Sequence, residues 1–225
     1  MEPAERETCD HSTVVVPESY LVSVEKMGTR RNLGASPEGA RALLKQAAEQ
    51  CVERNGVSKT TMEDIAKQAG VSRPTVYRYF PDREELLLAV LADRASALTA
   101  RAHRYIAKQP SLADKLVEGL IYLAEHGYRD PFVRADDGRY VRRLMESGVG
   151  GQSAANFWAP VLTEAADAGE LVDGLNLAMA FDWLADVGLV AMGALESNDQ
   201  TVNGLRAMLR SFVVPAFTKA VTSPQ

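Results

Sequence analysis

Two short helices joined by a single glycine turn constrain this chain more than any other feature of its sequence. The first helix is predicted to begin at Thr60 or Thr61 and to end at Gly70, and Ser72 is predicted to cap the second. Thr60 has capping-box spacing with Glu63, although Thr61 can serve equally well as the cap. Two short helices joined by a tight turn that contains glycine form a helix-turn-helix.

Helical periodicity continues on both sides of this motif. Ser36 is predicted to cap a helix that ends at Gly56, and Asp82 opens a long helix that reaches about Gln109. Further helices are predicted at about residues 111–127, 131–147, 152–168, 174–196 and 199–221. No segment alternates with period two for long enough to be a convincing strand, so we expect an all-α fold.

Length and composition argue against several classes of protein. The 225 residues can bury a substantial core, and no apolar run approaches the ~20 residues that a membrane-spanning helix needs. The two cysteines, Cys9 and Cys51, provide neither a disulfide framework nor a zinc pattern. The acidic N-terminus lacks the basic and apolar segments of a secretory signal. We therefore expect a cytoplasmic protein with no membrane span, no metal and no cofactor.

The net charge of −5 conceals a local reversal of charge. Residues 28–84 carry ten basic and seven acidic side chains, a net +3, whereas the segments before and after them each carry −4. A basic segment within an acidic protein is what an electrostatic contact with nucleic acid requires.

The residues in and after the helix-turn-helix resemble the TetR (tetracycline-repressor) family of bacterial transcription regulators. The motifs that carry the resemblance are Ile65-Ala66, Ala69-Gly70-Val71-Ser72, Thr75-Val76-Tyr77-Arg78-Tyr79-Phe80 and Asp82-Arg83-Glu84-Glu85-Leu86. Motif similarity extends from roughly Ser36 to Leu88, and beyond it only length and helical layout agree. The resemblance implies a homodimer that binds double-stranded DNA and responds to a small, apolar molecule. Repression of a palindromic operator with release by the ligand is the family default, and activation or corepression is the alternative.

These patterns predict that the chain is divided into three parts. Residues 1–35 are expected to be a flexible extension, residues 36–81 a three-helix DNA-binding domain, and residues 82–225 a larger helical domain for ligand binding and dimerisation. Met27 can be a second start codon, so whether residues 1–26 belong to the native protein is open. Arg30 and Arg31 either reach an adjacent minor groove as an arm or serve solubility alone.

The second helix of the motif presents candidate DNA contacts. Val76 and Phe80 are expected to anchor the helix, and the residues that can lie outward are Ser72, Arg73, Thr75, Tyr77 and Arg78. Arg73 can pair with a guanine edge. The family resemblance implies phosphate contacts for Tyr77, Tyr79 and Arg83, although both tyrosines can instead be core residues. Thr61, at a helix N-terminus, can bind a further phosphate. The complete predicted DNA-binding set is Thr61, Ser72, Arg73, Thr75, Tyr77, Tyr79 and Arg83.

The last two helices are candidates for the dimer interface, which in the resembling family is a four-helix bundle. Apolar residues at helical spacing predict a contact surface made of Leu177, Phe181, Leu184, Gly188, Leu205, Leu209 and Phe212. A second apolar stripe lies beside the first on the same helix, so that helix is expected to be buried on more than one side. Pro215 is expected to kink the end of the last helix.

Aromatic and polar residues of the middle helices are candidates for a ligand pocket. The predicted set is Tyr122, His126, Met145, Phe157, Trp158 and Trp183, and ordinary core packing is the alternative for each. Because the helix that opens at Asp82 belongs to both domains, we expect it to transmit ligand binding to the DNA-binding domain.

Two other classes of function have weaker support from this sequence. An enzyme has no support from a Ser/His/Asp or Cys/His pairing or from a phosphate-binding glycine loop. A helical adaptor that has lost DNA binding has no reason to keep the outward arginines and tyrosines of residues 73–83.

Overall fold

The computed structural model describes residues 36–135, 139–196 and 201–219, and every regular element in these ranges is a helix. The helices are α1 (Pro37–Asn55), α2 (Met62–Ala69), α3 (Arg73–Tyr79), α4 (Arg83–Ile106), α5 (Leu112–Gly127), α6 (Pro131–Arg134), α7 (Arg139–Glu146), α8 (Val149–Asp167), α9 (Leu177–Glu196), α10 (Val202–Phe212) and α11 (Val214–Phe217). A single isolated bridge pairs Leu171 with Thr218 in these ranges. The all-α prediction is confirmed. The predicted extension, with Arg30 and Arg31, lies outside the described residues.

Local capping decides where the N-terminal helices begin. Ser36, Ser72 and Asp82 each accept a hydrogen bond from a backbone N–H in the first turn of the following helix. The capping box of α2 uses Thr61 and Asp64, and the Thr60–Glu63 alternative is wrong. Thr60 is buried instead, and its hydroxyl donates to the carbonyl of Gly56 at 2.9 Å.

Two of the longer predicted helices are divided. The helix expected at 131–147 becomes α6 and α7, since α6 ends at Arg134. The helix expected at 199–221 ends at Phe212, and Pro215 lies in the first turn of α11. Proline is tolerated there because the first backbone N–H groups of a helix have no intrahelical acceptor. The chain therefore changes direction just before Pro215.

The buried side chains form two separate hydrophobic cores. The N-terminal core holds residues of α1, α2 and α3 with Phe80, and it also includes Phe132, Tyr140 and Leu144 from α6 and α7. The C-terminal core holds residues of α5, α8, α9, α10 and α11. Helix α4 enters both cores: Leu86, Leu87, Val90 and Leu91 lie in the first, and Ala102 and Ile106 lie in the second.

Charged side chains join the N-terminal end of α4 to its neighbours in the N-terminal core. The Arg83 guanidinium donates hydrogen bonds to the carbonyls of Val57 and Thr60, and to the hydroxyl of Tyr140 at 3.0 Å. On the next residue, Glu84 forms ion pairs with arginines of α7. Arg83 therefore connects the loop between α1 and α2 to α7.

Replacing Arg83 with Gln should destabilise the fold, because two carbonyl groups and the Tyr140 hydroxyl would lose a charged donor. The expected loss is about 1–3 kcal/mol in the free energy of unfolding. Urea denaturation followed by circular dichroism measures it. Arg104→Gln is the matched control, since Arg104 is exposed on the same helix and should change stability by less than about 0.5 kcal/mol. Equal effects of the two substitutions would show that Arg83 has no structural role.

Candidate nucleic-acid interface and internal cavity

Helix α3 is fixed to the protein through one face only. Val76 and Phe80 are completely buried in the N-terminal core. The Arg41 guanidinium lies over the Phe80 ring, 4.1 Å from its centroid, and also donates to the carbonyl of Tyr79. The opposite face of this short helix is consequently held outward in a fixed orientation.

The turn between α2 and α3 depends on Gly70. Its φ of 68° lies in the left-handed region, which residues with a Cβ adopt at a cost. The N–H of Val71 donates to the carbonyl of Ala66 at 3.0 Å, which satisfies the end of α2. This turn sets the angle at which α3 leaves α2.

The exposed face of α3 carries two arginine–tyrosine pairs. Arg73 donates to the Tyr77 hydroxyl at 3.2 Å, and its guanidinium carbon lies 5.5 Å from the centroid of that ring. Arg78 donates to the Tyr79 hydroxyl at 3.1 Å. The hydrogen bond to Tyr77 raises the pKa of Arg73, so this guanidinium is charged at any physiological pH. We use the name recognition surface for Ser72, Arg73, Thr75, Tyr77 and Arg78.

The hydroxyl groups of this region already have partners within the chain. Thr61 Oγ1 accepts from the N–H of Asp64 and donates to its carboxylate at 2.6 Å. These contacts with Thr61 lower the pKa of Asp64, so a negative charge stands beside the N-terminus of α2. Ser72 Oγ and Thr75 Oγ1 lie 2.8 Å apart. An incoming phosphate would have to compete with these hydrogen bonds.

The predicted DNA-binding residues therefore divide into three groups. Ser72, Arg73, Thr75 and Tyr77 share the recognition surface with Arg78, which was expected to lie outward but was not in the predicted DNA-binding set. Tyr79 is half-buried against the N-terminal core. Arg83 is turned inward to Val57, Thr60 and Tyr140, so its guanidinium is occupied by the protein and does not lie on the recognition surface.

A cavity of about 430 Å³ lies among α4, α5, α7, α8 and α9. Its wall is largely apolar, and four of the predicted ligand residues contribute to it: His126, Met145, Phe157 and Trp158. Tyr122 and Trp183 do not line the cavity. Tyr122 stacks between Tyr105 and His126, and Trp183 stacks on Phe217 with ring centroids 5.7 Å apart. Within the described ranges, no group of three His, Cys, Asp or Glu side chains could hold a metal ion.

The contribution of α4 to the cavity wall was not predicted from the sequence. Arg94, Leu98 and Arg101 follow one another at helical spacing on the cavity side of α4. Arg94 forms ion pairs with Glu49 of α1 at 2.5 Å and with Asp130, the N-cap of α6, at 2.6 Å. Burial lowers the pKa of Arg94, but hydrogen bonds to Asp130 and Glu49 outweigh it and leave the pKa raised. One permanently charged side chain thus belongs both to the cavity wall and to a link with α1.

Most residues predicted for the dimer interface lie inside the protomer, which corrects that prediction. Phe181, Leu184, Leu205 and Leu209 belong to the C-terminal core, Gly188 is also buried, and Leu177 is partly buried against that core. Of the predicted set, Phe212 is the residue that projects into solvent, with 74% of its surface exposed. The reason is that α9 is apolar on two sides, and the predicted stripe packs against α5 and α8 of the same chain.

A different apolar face of α9 is exposed. Met179, Trp183 and Val190 recur at helical spacing with 69%, 40% and 65% of their surfaces accessible. Phe212 of α10 is also exposed, and we call these four residues together the α9/α10 apolar face. Segment Leu177–Leu195 is also long and apolar enough to span a membrane by length and composition, so the expectation that no apolar run reaches that length is wrong. Only 28% of its most apolar stretch is buried within the protomer.

Comparison with known proteins shows which proteins this chain is similar to. A family model described as bacterial regulatory proteins, tetR family, matches residues 44–90, which run from α1 into α4. An uncharacterised HTH-type transcriptional regulator of Mycobacterium bovis is 43% identical over 53 residues, which are 24% of this chain and 28% of the relative. The regulator EthR of Mycobacterium tuberculosis is 34% identical over 86 residues, 38% of this chain and 39% of EthR. The chain thus matches well under half the length of these curated relatives.

The likeness in fold extends beyond the matched segment. The solved structure of RolR in complex with resorcinol superposes with a TM-score of 0.60 at 21% sequence identity, covering 79% of this chain and 88% of RolR. At this level of identity the superposition establishes the shared fold. The capped helix-turn-helix, the Gly70 turn and the matched residues 44–90 support the identification of the chain as a TetR-family transcription regulator.

Proposed function

We propose that this protein is a cytoplasmic homodimer that represses transcription by binding a palindromic operator and is released from it by a small molecule. The observation that carries the proposal is the recognition surface. An arginine, a tyrosine and a second arginine project from a short helix whose other face is locked by Val76 and Phe80. An exposed, rigidly anchored helix of this kind suits the major groove of DNA.

The chemistry of the recognition surface favours DNA over a protein partner. Arg73 can donate two hydrogen bonds to the O6 and N7 atoms of guanine, and Thr75 can contact a base or a thymine methyl group. Tyr77 and Arg78 provide donors for the phosphates beside that base. The net charge of +3 in residues 28–84 attracts the same polyanion from a distance.

We infer that pairing of two chains takes place through the α9/α10 apolar face. One helix-turn-helix buries too little surface for tight specific binding, so two copies on a two-fold site are needed. Met179, Trp183, Val190 and Phe212 are large apolar side chains that face solvent, and exposed apolar surface of this kind marks interaction sites. Its position on the two last long helices agrees with the four-helix dimer that the family resemblance implies.

Release by a ligand requires that the cavity and α3 be coupled. Helix α4 belongs to both hydrophobic cores, and Arg94 on it lines the cavity while it holds Glu49 of α1. A ligand that prefers a conformer with a displaced α4 would change the position of α1 and hence of α3. It can lower DNA affinity only by as much as its preference between the two conformers.

Removal of either exposed side chain from α3 should weaken operator binding. Arg73→Ala and Tyr77→Ala are each expected to reduce affinity about tenfold, since a good base or phosphate contact is worth about 1–3 kcal/mol. The measurement is a gel shift with DNA flanking the gene of this protein, at one fixed salt concentration. Arg104→Ala, which removes the same charge from the exposed side of α4, should bind like the unchanged protein. Unchanged affinity in both α3 variants would refute the assignment of the recognition surface.

A charge on the α9/α10 apolar face should separate the two subunits. Val190→Glu places a carboxylate on that face, and its burial between two chains is costly. Light scattering coupled to size-exclusion chromatography should give a monomer mass for this variant and a dimer mass for the unchanged protein. Ser96→Glu, at an exposed site on α4, is the control and should remain a dimer. A dimeric Val190→Glu protein with native helical content would place the interface elsewhere.

A further inference from the structure

We propose that the cavity binds an amphipathic anion, with the apolar part of the ligand inside and its acidic group at an exposed arginine of the wall, Arg101 or Arg129. This inference rests on the proposed function, because it specifies the chemical class of the small molecule. It refines the expectation of an apolar effector by adding one negative charge in a defined place. The charge distribution around the cavity leads to this assignment.

The interior of the cavity fits a hydrocarbon or aromatic body. Phe157 and Trp158 are buried at the wall with their rings 4.6 Å apart at a steep angle, and Leu98, Leu184 and Met192 complete the apolar lining. A volume of about 430 Å³ falls within the range in which proteins bind small organic ligands.

The carboxylates of the wall are not available to a cationic ligand. Glu49 and Asp130 both pair with Arg94 at distances of 2.5 and 2.6 Å, so this end of the wall is already occupied by an internal ion pair network. Arg101 follows Arg94 by seven residues on α4, which places it about 10 Å further along the helix axis. The internal network and Arg101 are therefore at separate parts of the lining.

Arg101 and Arg129 add positive charge to the cavity wall, and of the two Arg129 also interacts electrostatically with Glu125. Both line the cavity and both are exposed, as expected for residues at its edge. Within the described part of the chain, neither has a carboxylate at ion-pair distance, and Arg129 donates to the hydroxyl of Tyr128 at 3.3 Å. An anion at this edge gains charge-assisted hydrogen bonds, a cation is repelled, and a neutral group gains neither.

Three probes with the same chain and different head groups test the assignment. They are decanoate, decanol and decylammonium, and their binding is followed by the fluorescence of Trp158. The chain has two tryptophans, so Trp183→Phe leaves Trp158 as the reporter in the cavity wall and keeps an aromatic ring at position 183. Decanoate should bind about tenfold more tightly than decylammonium, with decanol between them. Equal binding of the three probes, tighter binding of the cation, or no binding at all would overturn the proposal.

Substitution of the two arginines identifies the source of the preference. In the same single-tryptophan protein, Arg101→Gln with Arg129→Gln should remove the preference for decanoate, while Arg104→Gln, outside the cavity, should retain it. A preference that survives the double substitution overturns the assignment of the head-group site. Helical content measured by circular dichroism verifies that each variant is folded.

The two proposals fail in different ways. A gel shift on the protein that retains Trp183, without any probe, reports DNA binding alone. Operator binding without discrimination among the probes would refute the anion site and leave the regulator proposal standing. Discrimination among the probes without DNA binding would support the anion site and refute the regulator proposal.

Discussion

The shared burial of α4 is the constraint on which the rest of this structure depends. Its N-terminal half packs Leu86, Leu87 and Val90 into the core that holds α3, and its C-terminal half packs Ala102 and Ile106 into the core that surrounds the cavity. Protein cores are close-packed and respond to displacement by repacking. A shift of α4 therefore cannot be confined to one of the two cores. On the proposed function, ligand binding and the orientation of α3 are interdependent through this packing.

Charged side chains connect particular elements within this coupled structure. Arg83 connects the loop before α2 with Tyr140 of α7, and Arg94 connects α1 with Asp130. Both guanidinium groups are partly buried, and removing one partner of such a pair is costlier than breaking an exposed pair. Arg94 is also part of the cavity wall. A ligand that accepts hydrogen bonds from its guanidinium therefore competes with Glu49 of α1. The same residue can thus report occupancy of the cavity to the DNA-binding helices.

The parts of the fold that local physical chemistry determines could be predicted from the sequence. Caps at Ser36, Ser72 and Asp82, the left-handed turn at Gly70 and the inward position of Phe80 each depend on residues only a few positions apart. The role of Arg83 could not be predicted, because an arginine at the start of a helix suits a phosphate and a buried carbonyl equally well. Its partner Tyr140 is 57 residues away, and the sequence contains no local signal of that contact.

Hydrophobic periodicity could not predict how the C-terminal half of the chain packs, for a related reason. A helix that is apolar on two sides, as α9 is, gives no indication of which side faces its own core. Phe157 and Trp158 are adjacent on α8, yet both line the cavity. Trp158 is packed so closely on Gly119 that a Cβ there would lie 2.8 Å from its ring. Once Phe181 and Leu184 are assigned to the core, Met179, Trp183 and Val190 are left facing water. Covering this remaining face with a second copy would also fix the distance between the two α3 helices, so the interface that removes apolar surface from water would set the half-site spacing on DNA.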